Sequence, residues 1–179
     1  NGLLVASHCE DLSIINGGIM NKGETSAKLG VKGMDRASED YITAREMILA
    51  SSVNARIHIC HVSTKGSAAE IRFAKSRGVK TAPHYFMLTD ELLAKRDADY
   101  RMNPPLRTPK DVRAIIDAVK DGTIDCIITD HAPHAAEEKA DFEKAPNGVV
   151  GLETSLAATL TALYHTGEIS LNRVVELMC

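Results

Sequence analysis

The sequence predicts an α/β fold built on a parallel sheet. Short apolar runs alternate with longer amphipathic stretches, which is the pattern of strand–helix–strand units. The runs have four to six residues and two are rich in Ile or Val, as expected of strands covered on both faces. A complete (β/α)8 barrel usually takes about 250 residues. At 179 residues, this chain is too short to be a whole one.

Four apolar runs are predicted to be strands because each is short and is followed by a polar or helical segment. They are Leu3–Ser7, Arg56–Cys60, Val79–Ala82 and Ile124–Thr129.

Five helices are predicted from apolar residues at helical spacing and from end signals. Ser38 is a candidate N-cap, Gly78 stands where a helix should end, and Pro109 after Thr108 occupies a first helical position. The predicted helices are Glu39–Val53, Thr64–Arg77, Pro109 to near Gly122, Gly151–Tyr164 and Ser170–Met178.

Two segments, Gly17–Arg36 and His131–Val150, lack a clean period and are predicted to be long loops or loosely helical insertions. Long loops within a compact domain tend to carry function. We therefore expect one domain, residues 1–179, in which both segments are candidates for function.

Composition excludes several classes of protein. The net charge of -3 gives no basic surface for nucleic acid, and no apolar run is long enough to span a membrane. The four cysteines form no CxxC pair, so neither a disulfide scaffold nor a zinc ribbon is indicated. We expect reduced thiols in a cytoplasmic protein.

Each predicted strand is followed by a histidine or an aspartate, namely His8, His61, His84 and Asp130. In parallel α/β folds the carboxyl ends of the strands form the active-site face. Imidazole and carboxylate are the ligands of catalytic zinc, and a divalent metal there can activate water and polarise a carbonyl. The pattern therefore predicts a metal-dependent amide hydrolase.

Structural roles compete with each of these assignments. A single strand-end histidine is more often structural than a ligand, although agreement among several strands favours a site. His58 and His61 are predicted to point to opposite faces, so we assign His61 to the site and His58 to packing. Asp130 is predicted to act as ligand and general acid/base, with a helix N-cap as the alternative. His84 is left out of the site.

Two loops offer candidate substrate contacts. Two prolines make Arg101–Arg107 a rigid extended loop, and Asn103 within it presents both a donor and an acceptor; a plain crossover is the alternative. His134 lies four residues after Asp130, within reach of a substrate. Backbone amides around Gly148 could approach a ligand closely.

The ordered set of motifs resembles the dihydroorotases of the amidohydrolase superfamily, over essentially the whole chain. The motifs are His8-Cys9-Glu10-Asp11, His61-Val62-Ser63-Thr64, Asn103-Pro104-Pro105-Leu106-Arg107, Thr129-Asp130-His131-Ala132-Pro133-His134 and Gly148-Val149-Val150-Gly151-Leu152-Glu153-Thr154. The resemblance implies a distorted (β/α)8 TIM-type barrel of the metal-dependent hydrolase kind, present here as a partial barrel containing strands five to eight. It also implies reversible conversion of L-dihydroorotate to N-carbamoyl-L-aspartate in pyrimidine biosynthesis.

The same resemblance implies roles for individual residues. His8, His61 and Asp130 would be zinc ligands, one or two zinc ions being present in a complete enzyme, and Asp130 would also be the catalytic acid/base. The implied substrate contacts are Asn103, His134, Asn147 and Gly148.

Other features of the family are missing from this sequence. They are the first-strand His-x-His motif, the arginine near it, the bridging ligand of strand four and the small β-sandwich. We therefore expect this chain alone to be inactive and to bind at most one zinc weakly. Its exposed sheet edges predict self-association, giving a homo-oligomer such as a homodimer. The alternatives are a hydantoinase- or allantoinase-like cyclic amidohydrolase and a non-catalytic assembly partner.

Overall fold

A computed structural model describes residues 3–74, 80–81 and 84–179, in which helices alternate with short strands. The strands are β1 (Leu4–Ser7), β2 (Met20–Asn21), β3 (Gly33–Met34), β4 (Arg56–Ile59), β5 (Lys80–Thr81) and β6 (Cys126–Ile127). The α-helices are α1 (Leu12–Ile15), α2 (Glu24–Leu29), α3 (Ala37–Ser52), α4 (Lys65–Phe73), α5 (His84–Met87), α6 (Pro109–Lys120), α7 (Ser155–Thr159) and α8 (Leu171–Met178). The irregular helices are the 3₁₀ segments Asp90–Lys95 and Ala98–Tyr100 and a π-helical turn, Leu160–Tyr164.

The strands form parallel pairs, as the sequence predicts: β1 with β4, β2 with β3, and β5 with β6. Within the described residues these pairs are not joined into one sheet. The predicted strand Ile124–Thr129 is reduced to β6, because only two residue pairs connect it to β5. Val79 and Ala82, the ends of the third predicted strand, lie outside the described residues.

The helix ends follow the expected capping chemistry, with one exception. Thr64 caps α4 by accepting from the backbone N–H of Ser67, and Pro109 begins α6 after Thr108. Ser38 is not an N-cap, because α3 begins one residue earlier and the Ser38 hydroxyl instead bonds the backbone of Asp11. Gly78 lies outside the described residues.

Of the two alternatives predicted for Gly17–Arg36, the plain loop is wrong and the helical insertion is correct in part, since this segment holds α2 between the unpredicted strands β2 and β3. Its two strands meet closely at Gly33, where a Cβ atom would come 2.4 Å from the Cα of Lys22. His131–Val150 is irregular, as expected, and one bridge between His131 and Val149 joins its ends. The predicted helix Gly151–Tyr164 begins only at Ser155 and finishes in the π-helical turn.

Two apolar clusters support this arrangement. The first packs α3, α4, α6 and α8 against β4 and β6, and helices therefore cover these strands. The second lies beneath the irregular segments and consists of Met20, Tyr85, Leu93, Ala98, Met102, Leu106, Phe142 and Ala145. The long loops are therefore anchored by buried side chains. In the described part of the chain, we find no helix with the length and apolarity needed to cross a membrane.

Candidate active site

The pairing of β1 with β4 brings two predicted ligands together. Ser7 lies opposite Ile59, and the N–H of Cys60 donates to the Ser7 carbonyl, so both strands end at the same edge. The residues that follow, His8 and His61, place Nδ1 and Nε2 only 2.6 Å apart. The two imidazoles therefore lie in direct contact at this edge.

His61 is held in an environment that favours the neutral imidazole. It is buried, and its Nδ1 atom has no hydrogen-bond partner. Burial, and then the neighbouring His8, lower the pKa of His61, while the Asp130 carboxylate acts in the opposite direction. Neutral imidazole is the form that binds metals.

His84 and Asp130 meet in the same way beyond β5 and β6. Each follows its strand by three residues, and His84 Nε2 lies 3.8 Å from a carboxylate oxygen of Asp130. Burial, and then the charge of His61, lower the pKa of His84 to about 3. The charge of Asp130 acts on His61, and that of His61 acts on His84, as expected if both strand ends face a common region.

Left-handed backbone conformations mark two of the candidate ligands. His61 has φ of +36° and Asp130 has φ of +48°, in a region that non-glycine residues seldom adopt. Such conformations cost free energy and cluster at functional sites, where the surrounding structure imposes them.

Glu10 connects the histidine pair to the proline-rich loop, a role that the sequence analysis missed. One carboxylate oxygen lies 3.0 Å from His8 Nε2, and the other accepts a 2.8 Å bond from the Asn103 side-chain amide. The loop is also held where the buried Tyr85 hydroxyl donates to the Pro104 carbonyl at 2.8 Å. Glu10 follows His8 by two residues, the spacing that returns to the same side of an extended chain, and this was the available signal.

A buried ion pair holds the segment that follows His61. Glu39 accepts from the backbone N–H groups of Ser63 and Thr64, at 2.9 and 3.1 Å. The Arg107 guanidinium pairs with Glu39 at 3.2 Å, and both side chains are buried. Since Arg107 ends the Asn103 loop, this pair joins that loop to the His61 segment.

The remaining predicted contacts form a second group on the loop after β6. His134 Nε2 donates to the Asn147 carbonyl at 3.1 Å, and Gly148 N–H donates to the Arg101 carbonyl at 3.0 Å. A Cβ atom at Gly148 would come 2.5 Å from the Ala132 carbonyl oxygen and 2.8 Å from His134 Nε2. Glycine is therefore required for this close approach.

The two histidines offer donors that suit a divalent metal. Two imidazole nitrogens converge, a second buried nitrogen of His61 is unpartnered, and a carboxylate lies in the same region. Across residues 3–74, 80–81 and 84–179, no three histidine, cysteine, aspartate or glutamate side chains are gathered closely enough to hold an ion.

The sequence of this chain is similar to those of dihydroorotases. Residues 2–67 match a family model described as Dihydro-orotase-like. A dihydroorotase of Trichlorobacter lovleyi is 52% identical over 182 residues, which cover 99% of this chain and 43% of that protein. A dihydroorotase of Acetivibrio thermocellus is 49% identical with the same coverage. The chain thus spans less than half the length of these curated relatives.

Solved structures extend the likeness to the fold. L-hydantoinase (dihydropyrimidinase) from Arthrobacter aurescens superposes with a TM-score of 0.86 at 27% identity, over 99% of this chain and 42% of that one. Dihydropyrimidinase from Brevibacillus agri gives a TM-score of 0.85 at 25% identity, with the same coverage. The chain therefore has the fold of the matching part of these amidohydrolases.

Proposed function

We propose that this chain, a relative of the dihydroorotases by sequence, supplies part of the active site of an enzyme that interconverts L-dihydroorotate and N-carbamoyl-L-aspartate. The similarity to named dihydroorotases along 99% of the chain carries the proposal. The contact between the His8 and His61 imidazoles supports it from geometry, and the charge of Asp130 acts on His61.

We further propose that residues 1–179 form one partial barrel domain of a longer (β/α)8 protein. The strands β1, β4, β5 and β6 would correspond to strands five to eight. This proposal is supported by two side-chain pairs, His8 with His61 and His84 with Asp130, each of which lies beyond the carboxyl ends of a parallel strand pair. β1 leaves its Leu4 and Val5 side chains half exposed. We propose that such surfaces make the chain self-associate. We also propose that the chain lies in the cytoplasm, which suits four cysteines that form no disulfide.

In the proposed metal centre, His8 and His61 would hold the ion through Nδ1 and Nε2, the nitrogens that face each other, and Asp130 would be a third ligand. Zinc suits this imidazole and carboxylate set. When bound, the metal supplies a water of lowered pKa and a polarised ring carbonyl. Glu10 orients His8 from its other nitrogen, as carboxylates commonly do for histidine ligands.

Proton transfer is assigned to Asp130. Its carboxylate takes the proton that the attacking water loses and delivers it to the ring nitrogen as the amide bond breaks. Asn103, held by Glu10, and His134, held by Asn147, orient the ring. The backbone around Asn147 and Gly148 lies close enough to His134 to line the same substrate.

An assay of the purified full-length protein against dihydroorotate and hydantoin tests the function. Turnover of dihydroorotate in preference to hydantoin is expected. The reverse preference would identify a hydantoinase, a candidate favoured by the solved structures that share this fold. Absence of turnover with either substrate, in protein with bound metal, would favour a non-catalytic assembly partner.

We predict that Glu10→Gln weakens zinc binding by about 10- to 100-fold. The amide cannot accept as strongly from His8, so the imidazole loses its orientation and some basicity. Competition against a chromogenic chelator measures the affinity. His61→Ala should lose the site outright, and the exposed His165→Ala serves as the unchanged control. Wild-type affinity in Glu10→Gln would contradict this role.

We predict that Gly148→Ala raises KM for dihydroorotate roughly tenfold or more, because the added methyl group must displace Ala132 or His134. Steady-state kinetics of the full-length protein measure the change. Gly122→Ala is the matched control, since Gly122 also has positive φ, at +77°, but has open space around it. An equal rise in KM for both variants would mean that backbone strain, and not crowding at the site, is responsible.

A further inference from the structure

Lys139 makes an unusual set of contacts in the loop after β6. Its ammonium group donates to backbone carbonyl oxygens of two segments that are far apart in the chain. The acceptors are Gly148 at 2.8 Å, Pro146 at 3.0 Å, Ala98 at 3.1 Å and Arg101 at 3.4 Å.

These contacts replace the water that surrounds an ordinary surface lysine. An ammonium has three N–H donors, so four carbonyls share them, and each carbonyl directs its negative end toward the same cation. Burial lowers the pKa of Lys139, while the charges of Asp99 and Asp97 partly oppose that change. Without the cation, four carbonyl dipoles would converge on one point, and the Ala98 and Arg101 carbonyls would keep their backbone N–H donors.

The two segments whose carbonyls accept from Lys139 both contain proposed substrate contacts. Arg101 precedes Asn103 by two residues, and Pro146 and Gly148 flank Asn147. A single backbone bond, from Gly148 N–H to the Arg101 carbonyl, otherwise joins the segments at this point. We propose that Lys139 is a positioning residue that fixes the Asn103 loop against the Asn147–Gly148 segment, an inference that rests on the proposed function.

If Lys139 served only to attach the loop to the protein, its replacement would affect folding more than substrate binding. Phe142 and Ala145 bury the same loop in the second apolar cluster, and the Arg101 side chain donates to the Phe142 carbonyl at 2.6 Å. Loss of the Lys139 charge should therefore leave the loop attached. What changes is the separation of the two segments, which affects substrate binding more than folding.

The test compares Lys139→Met, Lys139→Arg and Lys144→Met in the full-length protein. Methionine keeps the apolar stem without the charge, and Lys144 is an exposed lysine of the same loop that pairs with Asp141. We expect Lys139→Met to raise KM for dihydroorotate about tenfold with a smaller change in kcat and an unchanged metal content. Lys139→Arg should recover part of the loss, and Lys144→Met should match the wild type.

Amide hydrogen exchange supplies a readout that does not need turnover. Faster exchange of the Gly148 amide hydrogen in Lys139→Met, with wild-type rates in α6, supports the proposal that Lys139 holds the two segments together. An unchanged KM, or wild-type exchange at Gly148, overturns the inference. Failure of the wild-type protein to turn over dihydroorotate would instead refute the proposed function, and the exchange measurement would still decide whether Lys139 holds the two segments together.

Discussion

Asp130→Asn is expected to lower kcat for dihydroorotate by about 10²- to 10⁴-fold, the usual contribution of a general acid/base. The amide has the shape of the carboxylate but cannot take a proton from water or deliver one to the leaving nitrogen. Asparagine also tolerates the left-handed backbone that Asp130 adopts at φ +48°, so the substitution adds little strain. The fall in kcat would therefore result from lost proton transfer and not from misfolding.

Metal content must be measured alongside kcat, because Asp130 is also a proposed ligand. Zinc per protein, determined after dialysis, separates a lost ion from a lost proton acceptor. Asp117→Asn, which changes an exposed carboxylate on α6, should retain wild-type activity. A kcat within threefold of wild type at equal zinc content would remove Asp130 from the proposed proton transfer.

Part of the site could be predicted from sequence because the residues that follow parallel strands lie at the same edge of a sheet. β1 and β4 are short apolar runs, and parallel pairing places whatever follows them at one edge. His8 and His61 therefore had to be neighbours once the strands were identified. The same rule applies to Asp130, although the structure also places His84 beside it, a residue that the sequence analysis left out.

Features that depend on long-range contacts could not be predicted from the sequence. β2 and β3 have two residues each, too few to show a period, and the pairing of Met20 with Gly33 defines them. The Ser38 hydroxyl has the chemistry of a cap but bonds Asp11, 27 residues away. Lys139 looks like one more surface charge until its four carbonyl partners are seen. Local propensity contains none of these contacts.

The buried pair of Glu39 and Arg107 is the clearest case of such a contact, and it leads to the largest expected loss of stability. Arg107→Met should lower the free energy of unfolding by about 3–5 kcal/mol, because the carboxylate would remain buried without its counter-charge. Arg107 also donates to the Ser63 hydroxyl and to the Asn21 side chain, at 3.0 Å each, so these acceptors lose a donor too. Urea unfolding of the full-length protein measures the change.

A double-mutant cycle separates the ion pair from the rest of the network. Glu39→Gln with Arg107→Met should lose less stability than the sum of the single variants, because the neutral amide no longer needs the guanidinium. Arg72→Met breaks an exposed pair with Asp121 and should cost no more than about 1 kcal/mol. Strict additivity of the two buried substitutions would mean that the pair contributes no coupling. If coupling is found, the metal affinity of Arg107→Met should fall with stability, since Glu39 holds the backbone that follows His61.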